Sequence, residues 1–141
     1  MTILGLDYGE KRIGVAVSDP DEKMAFGMEI LHRSDIKKDI ARIKEIICLR
    51  NARTIVVGLP INMNGTYGEK AKEVEEFCVI LKDNLEINIK TWDERLSSVQ
   101  AERVLTEANL SEIKKRKVLD KMAAQIFLQS YLDKQNADRR R

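Results

Sequence analysis

The chain has 141 residues, a length that suits one domain built around one core. Hydrophobic residues make up 43%, too many for a disordered chain, and no apolar run approaches the roughly 18 residues that a membrane-spanning helix needs. Lys and Arg number 25 against 23 Asp and Glu, so the net charge of +2 does not by itself demand a nucleic-acid partner. The distribution says more, because basic residues cluster at Lys114-Lys115-Arg116-Lys117 and at Arg139-Arg140-Arg141.

Ile3-Leu4-Gly5-Leu6-Asp7 reads as a strand entering a core. Tyr8 to Arg12 is a turn, and Ile13-Gly14-Val15-Ala16-Val17-Ser18 is a second strand, so the short connection makes an antiparallel hairpin. Asp19-Pro20-Asp21-Glu22 breaks the chain, and a third strand is expected from about Phe26 to His32. Ile36, Ile40, Ile43 and Ile47 recur at helical spacing, with Asp35 as a candidate cap. Thr54 to Leu59 is a continuous apolar run, as a central strand covered on both faces requires. Pro60 ends it, and Asn62-Met63-Asn64-Gly65-Thr66 forms a polar loop. Ala71, Val74, Phe77, Cys78 and Leu81 mark a second helix.

Ile87, Ile89 and Thr91 alternate toward Asp93, the pattern of a half-buried strand. Ser97 and Gln100 have capping-box spacing and start a third helix to about Glu107. A last helix carries Val118 to Leu132, and the segment from Gln135 to Arg141 is expected to fray. Residues 1–134 are expected to form a single domain, with 135–141 a basic C-terminal tail. Cys48 and Cys78 lie in helical patterns beside apolar neighbours and are expected to be buried free thiols. No charged segment followed by an apolar leader opens the chain, so a cytoplasmic protein with no membrane partner is expected.

The order βββαβαβαα implies an α/β fold with a mixed five-stranded sheet and helices on both faces. Right-handed crossovers leave few topologies. The simplest places strand 1 in the middle, its hairpin partners on one side and strands 4 and 5 on the other. Strands 1, 4 and 5 then run parallel, and their carboxyl ends share the edge where open α/β sheets place their sites.

Three acidic positions converge on that edge: Asp7 ends strand 1, the pair Asp93-Glu94 ends strand 5, and Asp120 lies in the last helix. Asp120 shares a helix face with Ala123, Ala124, Phe127 and Tyr131, where an unpaired carboxylate would be costly. Converging carboxylates are tolerated around a hard divalent cation such as Mg²⁺ or Mn²⁺, which prefers oxygen ligands. Each acid has a plainer reading: Asp7 as a turn residue, Asp93-Glu94 as a surface ion-pair patch, and Asp120 as a first-turn residue facing the macrodipole. Alternation puts Asp93 on the face of Ile87 and Ile89 and Glu94 on that of Trp92, so either could be the site carboxylate. Asp19 ends the antiparallel strand 2 and belongs to the opposite edge. His32 falls two strands from Asp7, roughly 10 Å away.

Lys11 and Arg12 follow Asp7, Arg95 follows the acidic pair, and Lys114, Lys115, Arg116 and Lys117 precede Asp120. Together they could hold a phosphate backbone, although a charge run can also be no more than a solvated face. Among enzymes, the chain lacks a Walker A pattern, a GxGxxG turn after a strand, and a zinc-spaced cysteine pair.

These residues resemble the YqgF family, also called RuvX, small bacterial proteins similar to Holliday-junction resolvases with an RNase H-like fold. The matching segments are Leu4 to Gly9 with Lys11 to Asp19, Val57-Gly58-Leu59-Pro60 with Asn62 to Thr66, Asp93 to Ser97, and Asp120 with Ala123-Ala124 and Leu128 to Leu132. They spread over most of the chain. The resemblance implies a metal-dependent nuclease of the cytoplasm that matures the 5′ end of pre-16S ribosomal RNA. It puts the family's acidic positions on Asp7, the Asp93-Glu94 pair and Asp120. Asn62 and Asn64 join the basic residues as expected nucleic-acid contacts, and a homodimer is an open expectation. Rival readings are a DNA endonuclease resolving junctions and a non-catalytic RNA-binding factor of ribosome assembly. Phosphoryl transfer from ATP, suggested by the Asp7-Tyr8-Gly9 turn, would need a second such domain to clamp a nucleotide.

Overall fold

A computed structural model describes residues 1–62, 64–95 and 111–139, with the backbone alone for 112, 113 and 115–121. Strands β1 (Thr2–Tyr8), β2 (Arg12–Ser18) and β3 (Ala25–His32) lead into helix α1 (Ile36–Arg50). Strand β4 (Ala52–Leu59), helix α2 (Glu69–Asn84), strand β5 (Asn88–Asp93) and helix α3 (Glu112–Arg139) follow. The sheet order is β3-β2-β1-β4-β5. β1 is antiparallel to β2 and parallel to β4, and β4 is parallel to β5. The mixed five-stranded sheet and its central β1 thus match the sequence expectation. The helix expected at Ser97 to Glu107 lies outside the described residues.

Alternation divides the sheet into two faces. Leu4, Leu6, Val15, Val17, Ile55, Val57 and Leu59 pack with α1 and α2, through Ile40, Ile43, Ile46, Val74, Phe77 and Leu81. Ile3, Ala16, Ala25 and Val56 pack with α3, through Ala124, Phe127, Leu128 and Leu132. The α3 face is paved with small residues, which brings the helix close. A Cβ on Gly5 would stand 3.0 Å from the Leu128 Cβ and 3.3 Å from the Ala124 carbonyl. Of the two alanines, Ala124 is the buried one.

Helix ends follow capping chemistry. Asp35 accepts from the Lys38 amide at 2.9 Å, and Asn51 closes α1 in the left-handed conformation at φ 52°. Ser111 Oγ accepts from the Lys114 amide at 3.3 Å and starts α3.

Two expectations are corrected. The last helix runs past Leu132 to Arg139, so residues 135–139 do not fray. The reason is a polar latch on the β2–β3 turn. Glu22 takes a forked pair from Arg53, Gln135 donates to its carboxylate at 3.1 Å, and Asn136 donates to its carbonyl at 3.0 Å. Gln129 adds a backbone-like clasp, accepting from the Ala25 amide at 2.8 Å and donating to the Lys23 carbonyl at 2.9 Å. Cys48 is exposed while Cys78 is buried, both being free thiols. At 100° per residue Cys48 lies about 200° around the helix from the buried Ile46, on the solvent side.

Candidate active site

Asp7 and Glu94 meet at the carboxyl edge of the parallel strands. Asp7 pairs in register with Gly14, and a Cβ on Gly14 would stand 3.5 Å from the Asp7 Cβ and 3.7 Å from that of Ala124. Asp7 therefore projects from the α3 face of the sheet, beside the helix. Glu94 follows β5 on the same face as Trp92, and its side chain folds back across Gly58 of β4. A Cβ on Gly58 would come within 2.9 Å of both the Glu94 Cδ and the Phe127 ring. Gly58 is thus the space in which the Glu94 carboxyl rests.

The Glu94 carboxyl is pushed up to about 7 from an ordinary 4.5. Burial is the largest cause, followed by the charge of Asp7 and a side-chain hydrogen bond with it. Lys70, which lines the same cleft as Asp7, opposes the rise through its charge. Two carboxyls sharing a hydrogen bond at a partly dry edge cannot both ionise cheaply, so one proton is held near neutrality.

Asp93 is not part of this pair. It points away and is gripped by its neighbour: Arg95 Nη2 donates to Oδ2 at 2.7 Å, and the Arg95 amide donates to Oδ1 at 3.0 Å. That grip holds the Asp93 carboxyl below the usual range. Arg95 also reaches the Asn62 carbonyl at 3.4 Å, tying β5 to the loop after β4. The loop is internally closed. Asn64 Oδ1 accepts from the Thr66 amide and hydroxyl at 3.1 and 2.6 Å, and Asn62 Nδ2 donates to the Thr66 hydroxyl at 3.0 Å. Asn62, Asn64 and Arg95 thus each contribute to shaping this loop, with Asn62 and Asn64 exposed on it.

A cleft of about 570 Å³ opens over Asp7, lined by Gly9, Lys11, Arg12 and Gly14 and by Lys70 and Glu73 of α2. Lys11 and Arg12 are exposed there, as phosphate contacts would be. Lys114 is exposed at the start of α3. The side chains of Lys115, Arg116, Lys117 and Asp120 lie outside the described residues. The backbone puts Asp120 one helical turn before Ala124, the residue that faces Gly14 and Asp7. His32 pairs with Arg12 at the β2–β3 end and does not line the cleft. Asp19 is at the opposite edge, accepting from the Lys23 and Met24 amides.

Two site features escaped the sequence reading. Lys70 comes from the first turn of α2, and the signal was available: α2 follows β4, so its N-terminus must lie at the same edge. Arg33 is the other. Its guanidinium donates to the Gly9 and Glu10 carbonyls at 2.9 and 3.0 Å and lies 4.5 Å over the Tyr8 ring, which stacks on Phe77 at 4.2 Å. Arg33 therefore fixes the turn that carries Lys11 and Arg12. Among the described residues, no group of three His, Cys, Asp or Glu side chains is placed to hold a metal. No helix among them is long and apolar enough to cross a membrane.

The mixed five-stranded sheet has the arrangement of an RNase H-like α/β fold, and its family and relatives make the chain a nuclease, a hydrolase of phosphodiester bonds. The model of the RuvX family, described as Holliday junction resolvase, matches residues 1–134, and the chain belongs to that family. A protein of Clostridium novyi named "Putative pre-16S rRNA nuclease" is 51% identical over 133 residues, covering 94% of this chain and 98% of the relative. One of the same name from Desulforamulus reducens is 49% identical, covering 94% and 97%. Among solved structures, Thermus thermophilus RuvC superposes with a TM-score of 0.59 at 13% identity, covering 97% of each chain. The fowlpox virus Holliday junction resolvase gives 0.50 at 14%, covering 95% of this chain and 99% of the other. At such identities these structures speak to the fold.

Proposed function

We propose that this chain is a nuclease dependent on Mg²⁺ or Mn²⁺ that acts on precursor 16S ribosomal RNA at its 5′ end, in the bacterial cytoplasm. The observation that carries the reading is the Asp7–Glu94 pair, two carboxyls sharing a proton beside a cleft that offers Lys11, Arg12 and Lys70 as cations among the carboxylates of Asp7, Glu10, Glu69 and Glu73. The pair fits a hard cation by its chemistry: oxygen donors only, with a proton that a cation can displace near neutral pH. Asp7, Glu94 and, by its helical register, Asp120 would hold one or two ions. Bound there, the metal supplies an activated water and charge stabilisation at the leaving oxygen. Lys11, Arg12 and Lys70 bind and orient the phosphate. Asp93 takes the supporting role, since Arg95 holds its carboxylate on the other side of the strand. The rRNA substrate is supported by the shared name of relatives at about half identity.

A DNA junction is the second reading, favoured by the family description and the RuvC-like fold. The test is incubation of pure protein with labelled precursor rRNA and with a four-way DNA junction, in Mn²⁺ or EDTA. Cleavage of the rRNA alone, lost in EDTA and in Glu94→Gln but kept in Asp93→Asn, is the expected result. Cleavage of the junction alone selects the second reading. Binding without cleavage of either would make the protein an RNA-binding assembly factor.

A further inference from the structure

We propose that a groove between β5 and α3 binds a single-stranded flank of the substrate, a reading that rests on the nuclease assignment and extends it away from the cleaved bond. Lys90 and Trp92 lie on the face of β5 that Glu94 continues, at strand steps of about 7 Å. Facing them on α3 are Tyr131, Lys134 and Arg139, on the side of the helix that descends from Asp120 and Ala124. These two rows bound a groove of about 480 Å³. It starts next to the Asp7–Glu94 edge and leads toward the opposite edge. β5 ends the strand order, and among the described residues only β5 and α3 line the groove.

The chemistry of the groove is that of a strand-tracking site. Trp92 and Tyr131 meet edge to face, with centroids 5.6 Å apart and planes at 88°, and both rings are half-buried. The Lys90 ammonium lies 3.4 Å from the Tyr131 hydroxyl. The lining holds three cations, Lys90, Lys134 and Arg139, against the carboxylate of Asp138, and Arg139 also lies 3.6 Å from the Glu22 carboxylate at the groove's far end. Lys134 pairs with Asp138 at 3.3 Å across a well-exposed surface, with side chains 59% and 54% accessible, so the lysine stays available. The Trp92 Nε1 is shielded from solvent and has no hydrogen-bond partner among the described residues, an orphan donor that packing alone does not explain. Aromatic faces interleaved with cations favour nucleic acid whose bases are unstacked, because stacking needs a free base face and the cations track phosphates. A duplex can offer this groove only its backbone. An anionic flank that leaves the active edge along α3 therefore finds both kinds of contact in sequence.

Trp92 is the only tryptophan of the chain, so its fluorescence reports this groove alone. The test titrates full-length Asp7→Asn protein with single-stranded RNA and DNA of one sequence, about 12 nucleotides long, and with a blunt duplex of that sequence. Anisotropy of labelled strands measures total binding in parallel. The expected result is quenching of Trp92 by single strands and none by the duplex, with the tighter sugar type identifying the flank. Lys90→Ala/Lys134→Ala should weaken single-strand binding roughly tenfold and lower its log K against log salt slope by about 1.4, or 0.7 for each lost phosphate contact. Binding by anisotropy without quenching, quenching by duplex, an unchanged salt slope, or no single-strand binding each overturns the proposal. Quenching in a protein whose wild type cleaves neither rRNA nor junction would leave the groove standing and remove the nuclease reading.

Discussion

Glu94 rests its carboxyl in the space left by the missing side chain of Gly58, where it reaches the carboxyl of Asp7. The candidate edge thus depends on a residue with no chemistry of its own. A single methyl group there would overlap a Glu94 carboxyl oxygen and come within 2.9 Å of both the Glu94 Cδ and the Phe127 ring, closer than real Cβ contacts come.

Gly58→Ala is expected to lower cleavage at least a hundredfold and to reduce stability by about 1–3 kcal/mol, the range for overpacking. Phe127 is packed against the sheet and cannot retreat, so Glu94 must move. Cleavage assays and thermal melts on one preparation check this, and a stable variant with wild-type activity would remove Glu94 from its seat.

The Asp7–Glu94 pair also makes stability depend on pH. Glu94 titrates at about 7 in the folded chain against 4.5 ordinarily, so the folded state holds a proton that the unfolded state has lost between those values. Stability conferred by this group is therefore present below pH 4.5 and falls as pH rises toward 7. At 1.36 kcal/mol per pH unit the ceiling is roughly 3 kcal/mol. Glu94→Gln should flatten this slope in metal-free melts, becoming more stable relative to wild type from pH 5 to pH 8. An unchanged slope would contradict the buried, shared proton.

Much of this edge was legible in the sequence because it depends on short-range rules. The Tyr8–Arg12 turn forces a hairpin, the βα units force parallel strands, and alternation along β5 puts Glu94 with Trp92 and Asp93 with Ile89. The division of labour within the Asp93-Glu94 pair was not legible. It depends on Arg95 curling back two residues and on Gly58 vacating space one strand away. The length of α3 was hidden for a similar reason: residues 135–139 have no strong apolar stripe, and their order comes from Glu22, more than 110 positions earlier. Lys70 could have been placed from topology, since α2 starts at the edge where β4 ends, whereas Arg33 reaches the site from beyond β3, where local pattern carries no sign of it.

Glu22 gives a contrast to Glu94 at the opposite edge of the sheet. Its carboxyl is lowered, chiefly by the hydrogen bonds from Arg53, so it contributes stability above the ordinary glutamate range that is lost as pH falls through the lowered value. Glu22→Gln should destabilise by about 1–3 kcal/mol, increase amide exchange over 133–139, and leave cleavage at the distant site intact. Loss of activity with an undisturbed α3 terminus would show that the latch is not merely structural.

Arg33 is expected to act on catalysis through position. Arg33→Ala removes two hydrogen bonds to the Gly9 and Glu10 carbonyls and the stacking on Tyr8. The turn with Lys11 and Arg12 should loosen, with faster amide exchange at residues 9–12. Stability should drop by about 1–2 kcal/mol. KM for nucleic acid should rise several-fold more than kcat falls, because Lys11 and Arg12 orient the phosphate while Asp7 remains in its strand. A fall in kcat alone would point to Asp7 as the group disturbed.

Asp120 is where the metal reading and the structural one diverge most. Its register one turn before Ala124 brings it to the edge that holds Asp7. If it joins Asp7 and Glu94 around an ion, the metal-free protein carries three mutually repelling carboxyls. Asp120→Asn should then be inactive yet at least as stable as wild type without metal. It should also lose most of the stabilisation that saturating Mn²⁺ confers on the folded state by linkage. If Asp120 serves only the helix dipole, the same change should cost roughly 0.3–1 kcal/mol and leave cleavage unchanged. Thermal melts of both proteins with and without Mn²⁺, beside a cleavage assay, separate the outcomes. A less stable, fully active variant whose melting point still rises with Mn²⁺ as wild type's does would take Asp120 out of the site and leave the Asp7–Glu94 pair to hold the ion.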